Sequence, residues 1–342
     1  MDVTPDELSE IMAAMAVDAL DDEESGAAEA LLAAHPERAE ELDGMRQAAA
    51  WLGAEAAQPA PAGLGGRVFD AALARRAGGR HLAVHAAGVP EPVDALAGEA
   101  ADLAALLATL TPAQWSAPTR TGLSVHELMA HLLAVEDYTG FLLGLWPVAI
   151  DPATVLQHVV MTRPTIDDWQ GRPSAELATT WRERVDTVIA GFRGTAAAQR
   201  YQFHYLDLSV RSLIVLRSFE LWVHGDDILD AVGRPPSLGD PGRIHRMAEL
   251  AVRGLPLALA FSGTSVDGTT ARIVLTGPGG GAWNQALGSH PAGDPTVNLV
   301  ADVHDFCRLV SHRLSPDQLD VDISGDVELG RAVLVAAQVF DA

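Results

Sequence analysis

The run LSVRSLIVLRSFELWVHGDDILDAVG, residues 208–233, reads as one long apolar helix, yet it carries Glu220, His224, Asp226 and Asp227 within eight positions. Residues four apart share one face of an α-helix, so Glu220 and His224 project together, and Asp227 follows on the same stripe. Leu213, Leu216 and Val223 lie near that stripe, which points the polar groups inward. A buried carboxylate beside an imidazole is costly unless it is paired or bound to a metal. Glu-x-x-x-His on a bundle helix can chelate, and a further ligand then has to come from another helix. The pattern SVHELMAHLLAVEDYTGFLLGLW (124–146) offers His126, Glu127 and His131. His126 and His131 are five apart and poorly aligned, so only one of them faces the core with Leu128 and Leu132; His131 is the better placed. Asp227 is expected to orient a ligand or cap a loop, and Asp226 to be solvated.

Two further helical patterns, 94–110 and 174–194, complete a four-helix bundle. Ser124 and Ser174 stand where N-caps belong and Gly233 where a helix should stop. The segments 147–173 and 195–207 read as long connections. Gly- and Pro-rich stretches divide the rest of the chain. Residues 1–78 are rich in Ala and acids, with helical spacing at Leu8, Ile11 and Met15 and again at Leu42, Met45, Ala49 and Leu52. DDEE (21–24) would start a helix between them, QPAPAG (58–63) would end a third, and 64–77 could form a fourth. Such short helices must pack on one another or on a partner. Residues 79–93 read as a linker, 94–238 as the bundle, and 239–342 as an α+β domain. In that last domain 271–277 and 282–288 are expected to pair through GPGGG, which is a turn and no phosphate loop. The expected fold class is mainly α and multidomain.

Composition removes several function classes. The 342 residues carry a formal net charge of −23, with arginine as the only strong base, so a nucleic-acid surface is not expected. Cys307 is the single cysteine, which excludes an internal disulfide and any Cys-rich zinc site; its setting in DFCRLV suggests a buried helical thiol. No basic and apolar leader opens the chain and no apolar run reaches membrane-spanning length, so the expected location is the cytoplasm.

Two stretches of the middle segment carry a resemblance. WSAPTRTGLSVHELMAHL (115–132) and RSFELWVHGDDILDAVGRP (217–235) resemble the metal-binding DinB-like domain of mycothiol-dependent maleylpyruvate isomerases. Leu123 stands where that family usually has Trp, and Glu127 where it has Asp; neither change removes a ligand. The resemblance implies a divalent metal, zinc by preference, on His131, Glu220 and His224, with an open coordination position for the small thiol mycothiol. LTGPGGGAW, VSHRLSP and SGDVELGRAVL resemble the C-terminal domain of the same family. There Arg313 is a candidate contact to an acidic thiol cofactor, against the plainer reading of a surface salt bridge. Residues 17–52 resemble the N-terminal domain of bacterial anti-sigma factors of the zinc-free kind, since His35-Pro36-Glu37-Arg38 stands in place of Cys-x-x-Cys.

These resemblances imply alternative roles. In one, residues 1–78 hold a sigma factor and the metal module alters that grip in response to thiol or metal state. In another, the module is a mycothiol-dependent isomerase or thiol transferase, in which a metal-bound thiolate attacks an electrophilic small molecule. A metal-stabilised scaffold without turnover is the third.

Overall fold

The computed structural model describes residues 5–16, 19–20, 28, 30–39, 41–42, 44–46, 88–147, 157–196, 198–203, 206–264, 266–288 and 294–338. The chain divides into two compact units, Met1–Phe69 and Asp70–Ala342. In the first, helix α1 (Pro5–Ala16) buries Leu8 and Met12 against Leu42, with Met15, Leu31, Leu32 and Met45 around them. The apolar stripes therefore pack on one another, and Arg38 bonds to Ser9 at 2.9 Å across the cluster. The DDEE run, the helices expected beyond residue 46 and most of the linker lie outside the described residues.

The second unit begins with the bundle. Helices α2 (Pro92–Leu107), α3 (Pro112–Trp115), α4 (Val125–Leu142), α5 (Gln157–Trp169) and α6 (Ser174–Arg193) lead to a hairpin of β1 (Arg200–Phe203) and β2 (Leu206–Ser209), and then to α7 (Val210–Ala231). The long helices α2, α4, α6 and α7 are the four expected from spacing. Leu96, Leu103, Leu128, Leu132, Trp181, Leu213 and Leu221 meet in their shared core. Ser124 caps α4 in a reciprocal box: its hydroxyl accepts from the Glu127 backbone at 3.2 Å, and the Glu127 carboxylate accepts from the Ser124 N–H at 2.8 Å. Ser174 does not cap α6, whose N-cap is Pro173; its hydroxyl bonds instead to His126 at 3.0 Å. Gly233 stops α7 at φ 70°, a left-handed value that glycine adopts without strain. Two parts of the presumed connections are ordered elements: α5, which holds Pro164 within its length, and the β1–β2 hairpin.

The C-terminal part is a helix-backed sheet. Helix α8 (Pro241–Phe261) starts on Asp240, whose carboxylate accepts from the backbone of Gly242 and Arg243. Strands β3 (Thr270–Thr276) and β4 (Gly281–Ala286) form the expected antiparallel pair. β5 (Val297–Asp302) runs parallel to β3; after helix α9 (Val303–Val310), β6 (Val321–Gly325) runs antiparallel to β5, and α10 (Val327–Ala336) follows. The order across the sheet is β4-β3-β5-β6. Ile273, Leu275, Leu299 and Ala301 alternate onto one face, as a half-buried sheet requires, and meet Met247, Phe306 and Val333 from the three helices. The fold is mainly α and multidomain, with a helical N-terminal unit, a four-helix bundle and an α+β part.

Helix α7 belongs to both cores of the second unit. Leu213, Ile214, Leu221 and Ile228 enter the bundle, while Phe219, Trp222 and Val223 enter the sheet-backed core. No helix among the described residues is long and apolar enough to cross a membrane.

Candidate metal centre

Spacing put Glu220 and His224 on one face of α7, and the bundle brings that face against His131 of α4. One donor atom from each of His131, Glu220 and His224 lies within 4.8 Å of the other two. The closest printed approach is His131 Nε2 to Glu220 Oε1, 3.5 Å, and the two imidazole rings meet edge to face with centroids 5.4 Å apart. His126, the alternative on α4, is turned away; its Nε2–H donates to the Trp169 carbonyl at 3.0 Å. Glu127 is used as the cap of α4.

Each histidine is held from its outer nitrogen. Nδ1 of His224 donates to Asp227 at 3.0 Å, and Nδ1 of His131 bonds to the Thr162 hydroxyl at 2.9 Å. A carboxylate accepts only, so the proton of neutral His224 resides on Nδ1 and Nε2 presents its lone pair inward. That buried Nε2 has no hydrogen-bond partner among the described residues. An orphaned imidazole nitrogen converging on a second imidazole and a carboxylate is what a divalent cation would satisfy. Burial lowers both histidines to about 4, helped at His131 by the positive charge of Arg217 and opposed at His224 by Asp227. Both rings are therefore neutral near pH 7, the form that ligates a metal.

Four charged residues around this set were not foreseen in these positions. Arg217, one turn before Glu220, is wholly buried; it donates to Glu220 Oε2 and, at 2.6 Å, to Glu136 Oε1 of α4. Sequence offered a signal for each: Arg217 interrupts an apolar run, and Glu136 falls four after Leu132 on the buried stripe. On the other side Arg313 does not make a surface salt bridge. Its side chain is 8% exposed and donates through Nε to Asp227 Oδ1 at 3.2 Å and through Nη2 to Oδ2. Burial alone would raise the Asp227 carboxyl, but hydrogen bonds from His224 and Arg313 outweigh it and hold it below its usual value. Asp226, expected to be solvated, is largely covered: it accepts from Arg308 at 3.1 Å and from the Ser237 backbone at 2.8 Å. The reason for the miss is that Arg308 and Arg313 lie more than eighty residues downstream, beyond the reach of helical spacing.

Parts of the chain are similar to known proteins. Residues 96–229 match the model of the mycothiol maleylpyruvate isomerase N-terminal domain. The matched stretch runs from α2 into α7. Two curated relatives, uncharacterized proteins from two strains of Mycobacterium tuberculosis, are each 27% identical over 256 residues, covering 72% of this chain and 93% of theirs. Crystal structures of the mycothiol-dependent maleylpyruvate isomerase and of one of its point mutants are similar at 14% and 13% identity. Each comparison has a TM-score of 0.48 and covers 68% of this chain and 92% of the other.

Proposed function

We propose that His131, Glu220 and His224 hold a divalent metal and that the chain is a mycothiol-dependent metalloenzyme, an isomerase or thiol transferase acting on a small electrophile. The observation that carries the metal is the buried, partnerless Nε2 of His224 facing the other two donors. Two imidazoles and one carboxylate suit zinc among the divalent metals and leave coordination positions open. A cation bound there supplies the positive charge that favours the thiolate form of a small thiol at neutral pH. The family of residues 96–229 supports mycothiol as that thiol.

The chain's own residues fix the arrangement. Asp227, clamped by Arg313, sets the tautomer and orientation of His224, and the Thr162 hydroxyl orients the ring of His131. The nucleophilic sulfur has to come from outside, because the one cysteine is unusable: Cys307 is buried in α9 and burial pushes its thiol up to about 12. The regulatory role implied by the anti-sigma resemblance of residues 17–52 gains nothing from this site or from the matched family, and the enzymatic reading is preferred.

The test is metal content of the purified wild type beside His131→Ala and Glu220→Ala, followed by metal-dependent conjugation of mycothiol to an electrophile. Stoichiometric metal in the wild type, strongly reduced in both variants, is the expected result. Equal metal in all three removes the site; metal without thiol turnover leaves the scaffold reading.

A further inference from the structure

The buried arginine behind the proposed ligand set carries a charge into the bundle core and calls for its own explanation. Arg217 is fully buried and Glu136 is 1% exposed. A guanidinium keeps its charge in any protein, so it must find anions inside. It finds two: Oε1 of Glu136 from α4 at 2.6 Å, and Oε2 of Glu220 one turn along its own helix. Replacing such a buried ionic group with apolar side chains of similar volume is often neutral or stabilising, so stability alone does not account for it. What the group does provide is direction. Of the two oxygens of Glu220, one is engaged by Arg217 and the other, Oε1, faces His131 Nε2 at 3.5 Å.

We propose that Arg217, backed by Glu136, is a positioning residue that reserves Oε2 of Glu220 and presents Oε1 alone to the metal. This rests on the metal reading of His131, Glu220 and His224. A carboxylate that binds through both oxygens fills two coordination positions, and one that binds through a single oxygen fills one. Arg217 thereby sets how many positions remain for thiol and substrate. Its charge also withdraws part of the negative charge that Glu220 would place on the cation, leaving a stronger Lewis acid for a coordinated thiol. Glu136 tempers that effect from the far side of the guanidinium: three charged groups with a net charge of minus one occupy the wall of the site.

Co(II) is the probe, bound to the full-length chain, because its visible d–d absorption weakens as coordination number rises. The double variant Arg217→Met with Glu136→Gln removes the clamp without stranding a buried charge. It should bind Co(II) with visibly weaker bands than the wild type, as Glu220 turns both oxygens to the metal. Glu136→Gln alone keeps shape and leaves Glu220 to balance the whole guanidinium charge, so the Co(II) dissociation constant should rise about tenfold or more. It also keeps the test decisive should the double variant fail to fold. A double variant with the wild-type spectrum, or Glu136→Gln with unchanged affinity, would overturn the inference while leaving the metal site standing. A wild type that binds no Co(II) removes the metal reading, and the inference with it.

Discussion

The two sides of the proposed ligand set are braced by the same chemistry delivered in different ways. On one side Glu220 is held by Arg217, which is backed by Glu136, both from bundle helices that also carry the proposed ligands. On the other, His224 is held by Asp227, which is held by Arg313 from the segment after α9, eighty-six positions along the chain. The first brace is sealed inside one core. The second crosses from the bundle to the sheet-backed part, so the orientation of His224 depends on residues that bear no ligand.

If the inner brace is the more deeply buried, Arg217→Ala should be the most damaging single change. Breaking a buried pair by removing one partner costs about 3–5 kcal/mol, readable by denaturant unfolding. Arg313→Ala should cost less, because its side chain is partly exposed and Asp227 keeps its bond to His224; equal losses would erase the contrast. The histidines give the next largest effect. Their folded values near 4 lie below the unfolded value near 6.5, so the unfolded chain binds more protons between these limits. Their stabilisation is complete above pH 6.5 and is lost as pH falls through 4, by up to about 3 kcal/mol each. Glu99 acts in the opposite sense, since burial raises it to about 7 despite Arg243, and its contribution is lost as pH rises from 4.5 through 7. The two histidines should therefore lower the stability of the chelator-treated chain as pH falls from 6.5 through 4, and Glu99→Gln should steepen that decline; denaturant titrations across pH 4–8 would show it.

Asp227→Asn sharpens the contrast from the outer side. It keeps the shape but weakens the hold on the His224 tautomer, and metal affinity should fall by about 10- to 100-fold with the fold intact. A chelator competition measures this, and an unchanged affinity would mean that Arg313 and Asp227 serve packing alone. Exposed pairs set the lower end of the scale: Asp186→Ala, which removes the partner of Arg182 on the surface of α6, should change stability by less than about 1 kcal/mol.

What could be read from the chain follows the same division. The period of the apolar residues locates α4 and α7 and places Glu220, His224 and His131 on inward faces, because a helix repeats every 3.6 residues whatever surrounds it. Helix α5 escaped that reading since Pro164 and the polar TRPTIDD run break the pattern, and Thr162 behind His131 was missed with it. The β1–β2 hairpin is built of four-residue strands, RYQF and LDLS, too short for an alternation to stand out. Glu136 and Arg217, and Asp227 and Arg313, are pairings across long stretches of chain. Each residue alone looks like an acid or a base, and only the folded backbone tells which faces which.

Because α7 lends one face to the bundle and the other to the sheet-backed core, neither core is closed without it. A ligand that binds only the folded state stabilises everything that must fold with it. Stripping the proposed metal from His131, Glu220 and His224 should then quicken amide exchange in β3 and β5, strands to which none of those side chains belongs. A chelator would act on this chain as a mild denaturant at a distance.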